Sequence, residues 1–268
     1  MSQLEMSKIY DEIGKTYSQT RTADARITNA IIQGLNLVKP STIVDVGAGT
    51  GNYSVELAKL GYHVLAVEPS EVMREQGKQH ENLCWIAGVA ESLPLEESSV
   101  EGIISTLAIH HFTDLEQSFS EMLRVVKENG RIVLLIADPR LCKDDCWLVD
   151  YFGAIIRQSY PFYKPIDEVV NQLRSVSGQN VEMMPFLIPH DITDGFFASA
   201  WRKPQLYLNP SFRAGISPLA KASDDVLQPI LQRLENDLKN GVWEQKYGHI
   251  LDNDDYEGGY RILIVQKG

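Results

Sequence analysis

The sequence predicts an α/β fold: a seven-stranded, mostly parallel sheet with helices on both faces and an inserted helical, aromatic-rich cap. Three observations predict it. Short apolar, strand-sized runs alternate with helical patterns of about 10–15 residues through the first half. The run Gly47-Ala48-Gly49-Thr50-Gly51 joins a strand to a helix. Residues 147–268 then hold 16 of the 23 aromatic residues, so the second half has a different task from the first. A chain of 268 residues is long enough for one large α/β domain, or for a core of about 150 residues with an elaboration.

Each element has its own justification. Thr42–Val46 is an apolar run that ends in glycine-rich sequence, as a buried parallel strand does. Ser54–Leu60 carries apolar residues at helical spacing. His63–Val67 is a second strand, and Glu71–Gln79 a helix with Ser70 as its N-cap. Leu83–Ala87 and Val100–Ser105 are the third and fourth strands. Leu115–Lys127, apolar at 115, 119, 122, 123 and 126, is an amphipathic helix, ended by Asn129-Gly130. Arg131–Ala137 is the fifth strand. Residues 139–171 read as helix interrupted at Pro161 and Pro165, and Val181–Ile188 as a further strand. Ser223–Asn240 is an amphipathic helix capped by Ser223, with Asp224 and Asp225 favouring its N-terminal dipole. Tyr260–Gln266 is the last strand. This divides one integrated domain into a core (1–138, with an N-terminal helical segment), a cap with insertions (139–258) and a final sheet strand (259–268).

Charge narrows the class of partner. The formal net charge is −11. The deficit is spread: residues 1–140 carry 12 basic and 19 acidic groups, and 141–268 carry 13 and 17. Nucleic acids and anionic membrane surfaces demand a basic face, so neither is expected as a partner. No apolar run approaches the roughly 20 residues of a membrane span. Three cysteines, Cys84, Cys142 and Cys146, are too few for a disulfide framework and point to a reducing, cytoplasmic setting. Cys142 and Cys146 flank Asp144 and Asp145, but no histidine lies nearby in sequence, and no metal is expected.

The loop after the first strand carries the chemistry. Glycine lets backbone N–H groups approach a ligand, and the helix that follows adds positive potential at its N-terminus. A dinucleotide fingerprint requires Gly-x-Gly-x-x-Gly. Gly47 and Gly49 fit it, but Asn52 stands at the third position and Gly51 comes one residue early. Glu68, at the end of the second strand, is placed to accept hydrogen bonds from ribose hydroxyls of any nucleoside.

On Val44-Asp45-Val46-Gly47-Ala48-Gly49-Thr50-Gly51, Val67-Glu68-Pro69-Ser70, Gly88-Val89-Ala90-Glu91-Ser92-Leu93-Pro94, His110-His111-Phe112 and Arg124-Val125-Val126-Lys127-Glu128-Asn129-Gly130, the sequence resembles the class I S-adenosylmethionine-dependent methyltransferases. The resemblance is to their small-molecule group (methyltransferase type 11), which holds the ubiquinone/menaquinone-biosynthesis and trans-aconitate enzymes. It covers roughly residues 10–137. It implies a Rossmann-like sheet and S-adenosylmethionine as cofactor, with S-adenosylhomocysteine as product. It also implies roles. Gly47, Ala48 and Gly49 would pass under the methionine and ribose, with Asp45 near the amino group. Glu68 would hold the ribose, and Pro69 would flank the adenine. Ala90 would offer its N–H to the adenine, with Glu91 beside it. Thr106 and Leu107 would line the methionine portion, and Tyr17 and Arg21 would close over the cofactor, Arg21 pairing its carboxylate. Val89 departs from the family pattern, which often has Asp there to accept the adenine amino proton.

Methyl transfer needs an electron-rich atom held in line in a dry pocket, and a base only where the nucleophile has a proton to lose. His110 and His111, just past the fourth strand, are the candidate bases. The residues after Pro139 are expected to cover a small organic acceptor, aromatic or acidic, with His190 and Arg213 as polar candidates and Trp201 and Tyr207 among the aromatic ones. Two other readings are open: a nicotinamide-dependent oxidoreductase on the same sheet, and a non-catalytic protein that binds S-adenosylmethionine. A monomer or homodimer is expected.

Overall fold

The computed structural model describes residues 21–142 and 146–268. Its sheet has seven strands. In chain order these are β1 (Thr42–Val46), β2 (His63–Val67), β3 (Leu83–Ile86), β4 (Val100–Thr106), β5 (Val126–Ala137), β6 (Glu182–Pro185) and, after a two-residue ladder of β7 (Ile188–Pro189) with β8 (Asp255–Tyr256), β9 (Tyr260–Gln266). The order across the sheet is β3-β2-β1-β4-β5-β9-β6. The five strands from β3 to β5 run parallel, and β9 lies antiparallel to both β5 and β6. The strand expected over Val181–Ile188 is therefore two short pieces, β6 and β7. The stretch expected as cap contributes β6 to the sheet as well.

The parallel strands are apolar on both faces because both faces are covered. Along β5, Val133 and Leu135 pack on one side and Ile132, Leu134 and Ile136 on the other. Helices α1 (Ala25–Leu35) and α2 (Asn52–Lys59) cover the first face through Ile27, Ile31, Leu35, Val55 and Leu57. The second face is covered by α4 (Leu115–Val125) through Phe119 and Met122, and by α6 (Ile166–Ser177) through Val169 and Leu173. Helix α4 ends at Val125, two residues before the expected stop. Its last carbonyls, on Arg124 and Val125, accept the N–H groups of Ser98 and Ser99, and the chain passes straight into β5. Helix α3 (Glu71–Glu75) is shorter than expected, but Ser70 caps it, accepting from the Met73 N–H.

The second half forms a helical layer on the first face, with α5 (Trp147–Ser159), α7 (Pro210–Ala214), α8 (Ser217–Ala220), α9 (Asp224–Lys239) and α10 (Val242–Tyr247). Its aromatic richness is mainly core. Trp147, Trp201, Trp243, Tyr207 and Phe152 are fully buried. The Trp147 ring meets Trp243 edge-on at 5.7 Å and Tyr207 at 5.2 Å. The indole N–H of Trp147 donates to the Trp201 carbonyl (2.8 Å), and that of Trp201 to the Ile188 carbonyl (3.0 Å). Ser223 sits at the N-cap of α9 but makes no side-chain cap bond, so the start of that helix rests on Asp224 and Asp225. Among the described residues, no helix is long and apolar enough to cross a membrane.

Trp147 links the cap helices to one another. Trp147→Ala is expected to lower unfolding stability by about 3–5 kcal/mol, read from the urea midpoint. A loss below about 1 kcal/mol would show that this cluster does not hold the cap.

Candidate active site

The strand order reverses at β1, which lies between β2 and β4. In open α/β sheets the crevice beyond the strand ends at such a reversal receives the ligand. Here the loop after β1 lines it. Gly47, Gly49 and Gly51 all have positive φ. At Gly47 (φ +74°) a Cβ would lie 2.7 Å from the Cβ of Ala108 beyond β4, so only glycine lets the two loops close together. Gly51 (φ +73°) lies against the Trp85 ring in the same way. The Gly47 and Ala48 N–H groups donate to the Val67 carbonyl (2.9 and 3.2 Å), which ties the loop to the end of β2.

Two buried carboxylates face this loop. Glu68 accepts the Gly49 N–H (2.9 Å) and the Ser70 N–H (3.0 Å), bridging the glycine loop and the cap of α3. Asp45 accepts the Ser54 hydroxyl on Oδ2 (2.6 Å). Among the described residues its Oδ1 is buried with no hydrogen-bond partner, as are Asn52 Oδ1 and Thr106 Oγ1. All three residues line one cavity. Burial lifts the Asp45 carboxyl to about 7, against the Ser54 hydroxyl, with the Glu68 charge adding to the rise. Burial raises Glu68 too, against its two N–H donors.

The cavity gathers Arg21, Asp45, Gly47, Ala48, Gly49, Glu68, Pro69, Val89, Ala90, Glu91, Thr106 and Leu107. Tyr17 lies outside the described residues. Glu91 has a second engagement: its Oε1 accepts from the backbone (2.5 Å) and hydroxyl (2.8 Å) of Thr113, fixing the turn into α4. Leu107 turns the chain out of β4 at φ +52°, rare for a branched residue and concentrated where structures are functionally constrained.

His110 and His111 lie on a short 3-10 turn, Ile109–His111, beyond β4. Their rings are 3.8 Å apart. His110 stacks on Tyr163 at 4.4 Å and 16°. Burial, then the charges of Lys221 and Arg21, push His110 down to about 3. Burial, then His110 and Lys221, hold His111 well below its ordinary value. Both imidazoles are thereby biased toward the neutral form, which can accept a hydrogen bond. His111 lines the cavity over the glycine loop and a second chamber beside it, and His110 lines that second chamber.

Some expected acceptor residues lie elsewhere. Arg213 donates to the Tyr207 carbonyl (2.7 Å), and Trp201 and Tyr207 are wholly core. His190 sits at the β7–β8 ladder, its N–H on the Asp254 carbonyl. Neither His190 nor Arg213 reaches either space. Asp194 was not foreseen. It is 1% exposed and accepts Arg21 Nε (2.5 Å) and Nη2 (3.1 Å) together with the Tyr53 hydroxyl (2.9 Å). No local pattern marks it, since Arg21 lies 173 residues away in sequence.

A methyltransferase domain model matches residues 44–134. A solved structure from Anabaena variabilis, described as a candidate methyltransferase of an antibiotic biosynthesis pathway, is 49% identical. Its TM-score is 0.89, and the match covers 92% of this chain and 99% of that one. The chain belongs to the class I S-adenosylmethionine-dependent methyltransferases. This family member is also 29% identical over 139 residues to a demethylmenaquinone methyltransferase of Clavibacter sepedonicus, covering 48% of this chain and 57% of that protein. It thus spans little more than half the length of that curated relative. A phosphoethanolamine N-methyltransferase of Haemonchus contortus, solved with S-adenosylhomocysteine and phosphomonomethylethanolamine, shares the fold of this methyltransferase: 15% identity, TM-score 0.58, covering 96% of this chain and 57% of that one.

The raised carboxylates give the ligand-free protein a distinctive pH response. The folded state holds a proton on Asp45 over a pH range in which the unfolded chain releases it, and Glu68 is shifted in the same direction. Their contribution to stability is full below the ordinary carboxylate range and is lost as pH rises through about 7 for Asp45. Asp45→Asn is expected to gain melting temperature relative to the parent protein as pH goes from 5 to 8. A difference that stays constant across that range contradicts the burial of an ionisable Asp45.

Proposed function

We propose that this protein transfers the methyl group of S-adenosylmethionine to a small organic molecule, in line, at the junction of the two cavities. The single observation that carries the reading is the trio of buried, unpartnered oxygens on Asp45, Asn52 and Thr106 around the glycine loop. Buried polar groups are rarely left unpaired, and a ligand with an amino group and hydroxyls supplies the missing donors. The two carboxylates fit a cationic ligand, whose charge would draw their pKa values down. When bound, the cofactor supplies a methyl already activated by a sulfonium centre.

The chain's own residues do the remainder. Gly47, Ala48 and Gly49 give close backbone approach. Asp45 holds the amino end and Glu68 the ribose. Pro69, Val89, Ala90 and Glu91 flank the adenine. Val89 offers no side-chain acceptor for the adenine amino group, so backbone carbonyls would take that part. Thr106 and Leu107 line the methionine, and Arg21, held by Asp194, faces its carboxylate. Tyr17 would close the mouth from the N-terminal segment. Neutral His110 and His111 orient the acceptor and exclude water rather than carry a proton at pH 7. The acidic charge supports a small molecule over a nucleic acid, and the sparse cysteines support a cytoplasmic protein; its assembly state would be a monomer or homodimer.

Calorimetric titration with S-adenosylhomocysteine tests this. The parent protein is expected to bind it and not NAD. Glu68→Ala is expected to weaken binding about 10–100-fold, the loss of charge-assisted hydrogen bonds. Binding of NAD alone, or unchanged binding by Glu68→Ala, overturns the assignment.

A further inference from the structure

Cys142 and Cys146 meet where the core sheet hands over to the cap. Cys142 follows β5 and the 3-10 turn Pro139–Leu141, and Cys146 is the residue before α5. Their sulfurs lie 3.2 Å apart, with the Cys142 thiol donating to Cys146. A third group closes the cluster. The Tyr256 hydroxyl, on β8, lies 3.3 Å from the Cys142 sulfur and donates to that of Cys146.

Each member has its own anchor. The Asp138 carboxylate accepts the N–H groups of Arg140 (3.0 Å) and Ile166 (3.1 Å), and its carbonyl accepts that of Leu141 (3.1 Å), which fixes the turn before Cys142. The buried Trp147, next to Cys146, is pinned by its indole bond to the Trp201 carbonyl. Tyr256 stacks on Trp201 at 5.3 Å and 20°. The packing of three segments thus holds the two sulfurs in contact before any reagent arrives. The pair is also asymmetric. Cys146 is buried, whereas Cys142 is only half-buried and is the sulfur a reagent reaches. The Cys142 hydrogen bond draws the Cys146 thiol down to about 7, against burial, and the Tyr256 hydroxyl and the Val149 and Leu148 N–H groups add to the fall. A lowered thiol beside a second one suits exchange with disulfides.

We infer that Cys142 and Cys146 are a modification site, a dithiol that closes into an intramolecular disulfide by exchange with a small disulfide such as oxidised glutathione. Cys142 attacks one sulfur of the small disulfide and passes its proton to Cys146, and the other sulfur leaves as a thiolate. Cys146 then gives its proton to solvent and attacks the Cys142 sulfur, and the second thiolate leaves. Two protein thiols are oxidised and the small disulfide is reduced to two thiols, so no other oxidant enters. The new bond ties the exit of β5 to the start of α5. In a reducing setting such a bond is transient and sensing rather than structural.

The test uses the full chain carrying Cys84→Ser, which removes the exposed cysteine of β3. The reduced protein is incubated with oxidised glutathione, free thiols are capped with iodoacetamide under denaturing conditions, and the intact mass is read. The expected product has lost about 2 Da, two hydrogens, and takes up no iodoacetamide, whereas the untreated protein is capped at both sulfurs. Trypsin, which cuts after Lys143, then leaves peptides 141–143 and 144–157 joined until a reductant is added. Unfolded in urea, the same pair is expected to close at least about 10-fold less readily at the same glutathione ratio. Cys146→Ser in this background is expected to stop at a stable glutathione adduct on Cys142. Should that variant fail to fold, the comparison of folded with unfolded protein stands alone. Sulfurs that stay open to iodoacetamide, a lasting glutathione adduct in place of the joined peptides, or equal closure in urea overturns the proposal.

Discussion

The site depends on one buried acid. Asp194 lies in the cap, Tyr53 on the helix that follows the glycine loop, and Arg21 just before the first described helix, and all three meet at one carboxylate. A buried carboxylate must be paired, and breaking such a pair by removing one partner typically costs about 3–5 kcal/mol. Satisfying Asp194 therefore brings the three segments together. Asp24 repeats the arrangement nearby. It accepts from Arg26 and from the Thr193 N–H (2.9 Å), and those contacts outweigh burial to hold its carboxyl far below the usual range. Between them, residues 21–26 are sewn to the cap loop at 191–194. The Arg21 guanidinium is delivered to the boundary between the two spaces and kept there.

With the cap seated, the rest of the site is a problem of dry polarity. The core supplies carboxylates and unpaired oxygens around the glycine loop, and the cap supplies rings. Low dielectric strengthens every electrostatic contact on the core side, and burial there raises the Asp45 carboxyl to about 7. The same low dielectric keeps His110 and His111 neutral. An acceptor whose lone pair is already available needs only position and exclusion of water. The cavity over the glycine loop is lined by the first half of the chain, whereas both halves line the chamber beside it.

Much of the core was legible because its signals are local. The glycine loop, the acid ending β2 and the alternation of strand with helix each sit within a few residues. Thr42–Val46, His63–Val67 and Tyr260–Gln266 have the bounds that their apolar runs suggest. Helix ends were less legible. Val126 fits the helical spacing of α4, yet it begins β5 because Ser98 and Ser99, just before β4, capture the preceding carbonyls, a tertiary contact. The acceptor side was legible only in composition. Aromatic density marked the cap but could not separate Trp201 and Tyr207, which fill its core, from Phe196, Phe197 and Tyr163, which wall the chamber. Asp194 was invisible in the same sense, since its meaning lies in residues 141 and 173 positions away.

The central claim is that the loops after β1, β2, β3 and β4 form one cofactor site that opens onto the cap. Hydrogen-exchange mass spectrometry with and without S-adenosylhomocysteine tests it most directly. Slowed exchange is predicted in peptides spanning 45–53, 68–70, 88–91 and 106–108 together, while α9 is unaffected. Protection confined to the cap helices, or absent from the 45–53 peptide, would contradict the account.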